Sequence, residues 1–190
     1  MTKKYSFGID IDGTVTTQEF MVPYINHYFK TNITLDDFTE YNLLNVLPID
    51  PVEFQKWFLA TELEMYTNPP VQKFAQETLQ KWYPQAALNY ITARQDNSLD
   101  VTNHWFNEQQ LPIDTLSIVG NASKVVAAKN HQVELFFEDK YENAIQLHEE
   151  LNIPIILFDA PYNRLALPKD VIRVQTWQDA ERWVAKEFGI

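Results

Sequence analysis

The chain of 190 residues contains no cysteine. That excludes disulfides, a thiol nucleophile and any cysteine-bound metal, and it fits a reducing compartment. Positive charge is also scarce. Fifteen Lys and Arg stand against 26 Asp and Glu, for a net charge of -11, and apart from Lys3-Lys4 the fifteen are scattered singly. Nucleic acid is gripped by clustered basic side chains, so this balance argues against such a partner. A small phosphorylated molecule needs less: a metal ion, one lysine or a few oriented backbone N–H groups suffice locally. No apolar run approaches the roughly 20 residues of a membrane helix. Met-Thr-Lys-Lys leads directly into a strand-like run with no signal-peptide core. These absences together predict a cytoplasmic protein with no membrane and no nucleic-acid partner. They say nothing about oligomeric state.

What is present is enough for a real core: 45% of residues are hydrophobic and 22% charged, with no repeat, low-complexity tract or charge block. Apolar, β-prone runs at residues 6–11, 88–92, 116–119, 134–137, 154–158 and 171–174 read as strands. Helical patterns at 98–109, 123–130, 141–151 and 178–188 alternate with them, the last opened by the capping pair Thr176 and Asp179. This order predicts an α/β fold, a Rossmann-like mostly parallel sheet with helices on both faces. Ligands of such sheets sit at the carboxyl ends of the strands. Residues 16–70 break the alternation with helical patterns and no strand. There Asp50, Pro51 and Glu53 read as N-cap, first helical residue and first-turn acid. The segment reads as a helical insertion, giving an α/β core of residues 1–15 and 71–190. It is rich in aromatics, among them Phe20, Tyr24, Tyr28, Phe38, Tyr41, Phe54, Trp57, Phe58 and Tyr66. Most such residues pack an insertion's own core; a few can face the strand ends and hold a flat ligand.

The stretch YSFGIDIDGTV, from Tyr5 to Val15, places two carboxylates at the mouth of an apolar strand. Residues i and i+2 of a strand share a side, so Asp10 and Asp12 repel unless a cation lies near them. An Asx turn explains Asp12-Gly13 but leaves Asp10 unexplained. Mg²⁺ takes carboxylates together with phosphate and water, and a carboxylate can itself be a phosphoryl acceptor. Three later features belong with this pair. Thr92 ends the second strand in YITAR, where it is either a helix cap or a phosphate-binding hydroxyl. Lys124 opens a helix, where it is either a solvated lysine or a charge neutraliser. LFFEDK ends the fourth strand in Glu138 and Asp139, repeating the acidic ending of the first.

In this order the residues resemble the four motifs of the haloacid dehalogenase superfamily of phosphohydrolases, spanning Asp10 to Asp139. The resemblance implies a phosphoric monoester hydrolase. It makes Asp10 the nucleophile, Asp12 the general acid and base, and Thr92 the phosphate-binding hydroxyl. Lys124 becomes the neutralising lysine, with Lys129 a less well placed rival. The cofactor implied is Mg²⁺, held by Asp10, the backbone carbonyl of Asp12, and Asp139 with Glu138 as neighbour or substitute. The fourth motif departs from the commoner Asp-Asp, and Asn143 stands where some members carry a further acid. The insertion at residues 16–70 corresponds to the superfamily's cap. Its aromatics, and the run beginning YITAR, resemble the 5'(3')-deoxyribonucleotidases and related bacterial nucleotidases. That implies a nucleoside monophosphate substrate, its base stacked on Phe20, Tyr24, Tyr41 or Trp57. Arg94 then either holds the second-motif loop or reaches the substrate. APYNR, residues 160–164, is either a rim contact or a turn. The alternatives are a phosphatase for sugar or other small phosphates and a non-catalytic binding module. A receiver-type signalling domain fits poorly, because no aspartate ends the second or third strand.

Overall fold

A computed structural model describes residues 3–190. Six parallel strands lie in the order β3-β2-β1-β4-β5-β6: β1 (Tyr5–Ile9), β2 (Ala86–Thr92), β3 (Thr115–Ile118), β4 (Leu135–Glu138), β5 (Ile155–Phe158) and β6 (Val171–Val174). Strand order reverses at β1, with β2 on one side and β4 on the other. That is the switch point at which open α/β sheets leave a crevice. Both faces are covered, so the central strands are mostly apolar rather than alternating. Leu135 and Phe137 of β4 join one core with Phe7, Ile9, Trp82 and Trp177; Phe136 joins another with Ile91, Ile155 and Leu157. Gly8 is the gap in this pattern, because a Cβ there would run into the ring of Phe136.

The helices within the described residues are α1 (Val22–Phe29), α2 (Pro51–Met65), α3 (Ala75–Trp82), α4 (Leu99–Glu108), α5 (Lys124–Asn130), α6 (Tyr141–Leu151) and α7 (Trp177–Phe188). Asp50 caps α2, its carboxylate accepting the Glu53 N–H at 2.9 Å, and Thr176 and Asp179 form a full capping box on α7. The sequence reading lacks α3, although Ala75, Thr78, Leu79 and Trp82 are buried at helical spacing. Residues 30–50 are mostly irregular with two short 3₁₀ turns, less helical than expected. The insertion leaves and rejoins the core at one point. Thr16 and Val71 form an antiparallel bridge, flanked by Thr17 N–H to Pro70 O (2.9 Å) and Gln72 N–H to Val15 O (2.7 Å). Between those ends it buries its own cluster, including Ile25, Leu43, Trp57 and Met65. Among the described residues no helix is long and apolar enough to cross a membrane.

Candidate active site

β1 stops at Ile9, so Asp10 is the first residue beyond it, and its N–H still bonds the Phe137 carbonyl of β4 at 2.9 Å. Asp139 follows directly on β4. Because β1 and β4 are neighbours, their two ends bring acidic side chains together. Oxygens of Asp10, Glu138 and Asp139 lie within 4.8 Å of one another, all three side chains buried.

The backbone then turns sharply. N–H groups of Thr14, Val15 and Thr16 all converge on the Ile11 carbonyl, and the Trp177 indole N–H holds the Thr14 carbonyl at 3.0 Å. Gly13 sits at φ +82°, in the left-handed region, and a Cβ there would strike the Asp139 carboxylate. The turn corrects the expectation drawn from strand alternation. Asp10 and Asp12 lie beyond the strand, in this turn, and each carboxylate has its own partner. Asp10 Oδ1 lies 2.6 Å from Lys124 Nζ. Asp12 is gripped by Arg94 in a two-pronged pair, Nε to Oδ2 at 2.8 Å and Nη2 to Oδ1 at 2.7 Å. Arg94 is buried, donates a further bond to Thr102 (2.9 Å), and lies 3.9 Å over the Tyr66 ring. Of the two roles expected for Arg94, its geometry matches holding the loop.

Lys124 is the first residue of α5, whose N-cap Ser123 accepts the Val125 N–H. Its ammonium also reaches Glu138 Oε2 at 2.7 Å. Lys129 is exposed and meets only Glu150, at 4.0 Å. Glu138 Oε1 accepts the N–H of Lys140 at 3.1 Å, so both Glu138 oxygens are engaged by protein donors. Asp139 differs: Oδ2 accepts from the Tyr162 hydroxyl, while Oδ1 is buried with no hydrogen-bond partner among the described residues. A buried carboxylate oxygen without a donor is costly unless something positive meets it. The surrounding donors are all oxygen, which suits a hard divalent cation. Thr92 ends β2 fully buried and accepts the Arg94 N–H at 3.2 Å.

Crowding sets the electrostatics. Burial, and after it the Glu138 carboxylate, pushes Asp10 from the ordinary carboxylate range up to about 7, against the pull of Lys124. Burial also drives Asp139 well above that range, with Glu138 and Asp10 adding to it. Burial alone would lower Lys124; the Asp10 and Glu138 carboxylates overcome it and hold the ammonium charged more firmly than an ordinary lysine.

Above these groups opens a cavity of about 410 Å³. Asp10, Asp12, Thr92, Arg94, Lys124 and Asp139 line it from the sheet, and Phe20, Phe38, Tyr41, Phe54, Phe58 and Tyr66 from the insertion. Of the four aromatics expected to meet a base, Phe20 and Tyr41 line the cavity. Tyr24 and Trp57 do not; they pack within the insertion, Trp57 against Tyr28, Phe29, Phe54 and Phe58. Sequence reasoning missed Thr102, and it named Tyr66 only among the insertion's aromatics and Tyr162 only within APYNR, because their contacts to Arg94 and Asp139 depend on folding and leave no local pattern.

Residues 5–188 match the family described as "5' nucleotidase, deoxy (Pyrimidine), cytosolic type C protein". The chain is 40% identical over 182 residues to "Putative nucleotidase BH1399" of Halalkalibacterium halodurans, covering 96% of this chain and 93% of that one. It is 41% identical over 177 residues to "Putative nucleotidase YqfW" of Bacillus subtilis, covering 93% and 92%. Among solved structures it superposes with a TM-score of 0.67, at 12% identity, on the haloacid dehalogenase-like family protein SP0104 from Streptococcus pneumoniae, covering 96% of this chain and all of that one. These likenesses extend over nearly the whole length, and the chain belongs to this 5'-nucleotidase family and has the fold of haloacid dehalogenase-like proteins.

Proposed function

We propose that the protein is a Mg²⁺-dependent 5'-nucleotidase that dephosphorylates nucleoside or deoxynucleoside monophosphates through a phosphorylated Asp10. The observation that carries this reading is the pairing of an acidic, lysine-bearing strand edge with an aromatic cavity directly above it. Residues 16–70 are read as a cap over the core formed by residues 1–15 and 71–190.

The cation would be held by Asp10, the open Oδ1 of Asp139 and the backbone carbonyl of Asp12. When bound, Mg²⁺ supplies positive charge against the phosphoryl oxygens. The chain's own residues do the rest. An Asp10 carboxylate oxygen attacks phosphorus, and the bond to the ester oxygen breaks. The leaving nucleoside oxygen takes a proton from Asp12. Water then attacks the phosphorus of the aspartyl phosphate and gives its proton to Asp12. The bond to Asp10 breaks and inorganic phosphate leaves. Lys124 offsets charge on Asp10 and on the phosphoryl oxygens, and Thr92 hydrogen-bonds one of those oxygens. Glu138 holds Lys124. Arg94 is assigned to Asp12, as the group that aims it, in place of direct substrate binding. The aromatics of residues 16–70 cover the base.

The test is phosphate release from a panel of nucleoside monophosphates and sugar phosphates, with Mg²⁺ and with chelator, on wild type and Asp10→Asn. Metal-dependent release, lost in the variant and fastest on one class of nucleotide, is expected. Release from sugar phosphates alone would keep the chemistry and remove the nucleotide. No release from any of them would favour a binding module.

A further inference from the structure

The run APYNR follows β5 and belongs to none of the four motifs, yet two of its side chains grip Asp139. The Tyr162 hydroxyl donates to Asp139 Oδ2. Asn163, fully buried, donates both amide hydrogens to main-chain carbonyls, that of Asp139 at 2.6 Å and that of Phe158 at 2.7 Å. Its own Oδ1 accepts the Ala160 N–H at 3.2 Å and a guanidinium N–H of Arg173 on β6. All four hydrogen-bonding positions of the Asn163 amide are therefore used, which fixes its orientation. Arg173 is braced in turn on the carbonyls of Asn163 (2.8 Å) and Leu165 (2.9 Å). The chain of contacts runs from β6 through the loop to the residue that directly follows β4.

The consequence falls on the Asp139 carboxylate. Tyr162 occupies Oδ2, in the space left by the missing side chain of Gly13, and Oδ1 is left buried and open. A carboxylate free to rotate would present either oxygen or both. This one is held so that a single oxygen is offered. Mg²⁺ demands near-octahedral geometry and tolerates little slack in its ligands, and the groups that orient a ligand count nearly as much as the ligand itself.

We propose that Tyr162 and Asn163 are positioning residues for the metal site: Tyr162 selects which oxygen of Asp139 faces the ion, and Asn163 fixes the backbone that carries it. The inference rests on the reading of Asp139 as a Mg²⁺ ligand. The loop after β5 thus becomes a fifth contributor to the site, beyond a turn or a rim contact. Tyr162 also lies edge-on to Tyr41 of the insertion, ring centroids 5.6 Å apart, so its ring has a packing role that its hydroxyl does not share.

Tyr162→Phe separates the two roles, because it keeps the ring and removes only the donor. The experiment is calorimetric titration of the metal-free full chain with Mg²⁺ alone, alongside thermal unfolding in chelator. Tyr162→Phe is expected to weaken Mg²⁺ binding about 10-fold or more, within the 10–100-fold typical of lost ligand support, with the unfolding midpoint in chelator nearly unchanged. Asn163→Ser is expected to weaken binding as well, with a lower midpoint; should it not fold, Tyr162→Phe carries the test alone. Binding by Tyr162→Phe as tight as wild type, or tighter, would overturn the inference and leave the Mg²⁺ reading standing. A wild type that takes up no Mg²⁺ at millimolar concentration would overturn both.

Discussion

Asp10 is a buried carboxylate crowded by a second one, Glu138. With the site free of metal its pKa is raised from 3.8 to about 7, by burial first and Glu138 second. The sign follows from linkage. Between those two values the unfolded chain gives up this proton and the folded one keeps it, so stability falls as pH rises from about 4 to about 7 and stays lower above. Asp10→Asn removes that contribution while keeping the shape. In chelator at pH 8 the variant should therefore be more stable than wild type by about 1–3 kcal/mol, or roughly 2–4 °C per kcal/mol in a chain of this size, although it is inactive. Scanning calorimetry reads the shift, and a lower midpoint would contradict it. Asp12 permits a kinetic test. Asp12→Asn should lose about 10²–10⁴-fold in kcat on a nucleotide, whose leaving oxygen needs a proton. It should lose much less on p-nitrophenyl phosphate, whose leaving group does not. Equal losses would argue that Asp12 serves only to shape the loop. Both aspartates were legible in the sequence because each interrupts or ends an apolar run. Arg94 was visible only as a choice between two roles, since nothing local shows that its guanidinium folds back onto Asp12.

At the scale of elements, the strands were legible wherever burial on both faces makes a run mostly apolar, as in β5 and in β4 up to Glu138. Their ends shifted by a residue or two, which matters at β1: the strand stops at Ile9, and a turn, not pleat alternation, aims the two aspartates. α3 went unread because its polar residues dilute a buried stripe with only three apolar members, Ala75, Leu79 and Trp82. The loop after β5 was read only as a choice between a rim contact and a turn, because Tyr and Asn beside Pro describe a turn equally well. The caps could be read, and one supplies a stability prediction. Thr176→Ala should cost about 1 kcal/mol by removing the N-cap of α7. Its side chain accepts the Asp179 N–H at 3.2 Å. Nucleotidase activity should persist at temperatures well below the unfolding midpoint. A loss of activity without a change in midpoint would mean that α7, through Trp177 and the Thr14 carbonyl, governs the catalytic loop more delicately than packing implies.

At the scale of the whole molecule, the proposed function divides the labour: the strand ends supply the chemistry and residues 16–70 supply the walls that face the rest of the substrate. Phe58, on α2 and lining the cavity, separates these parts. Phe58→Ala should lower kcat/KM for a nucleoside monophosphate by about 5–150-fold, the 1–3 kcal/mol typical of one base–aromatic stack, and leave ribose 5-phosphate little affected. A uniform loss on both would mean that the insertion closes the site without reading the base. Beneath every such test lies the role of Asp10. The most direct measurement is mass spectrometry of peptides from acid-quenched enzyme, using Asp12→Asn to slow hydrolysis of the intermediate, with a nucleoside monophosphate and Mg²⁺. One phosphoryl group on the peptide containing Asp10, absent with chelator and absent when Asp10 is also replaced by Asn, is the predicted result. Phosphate released by that variant with no phosphoryl group on Asp10 at any quench time, or with the group on another residue, would contradict it.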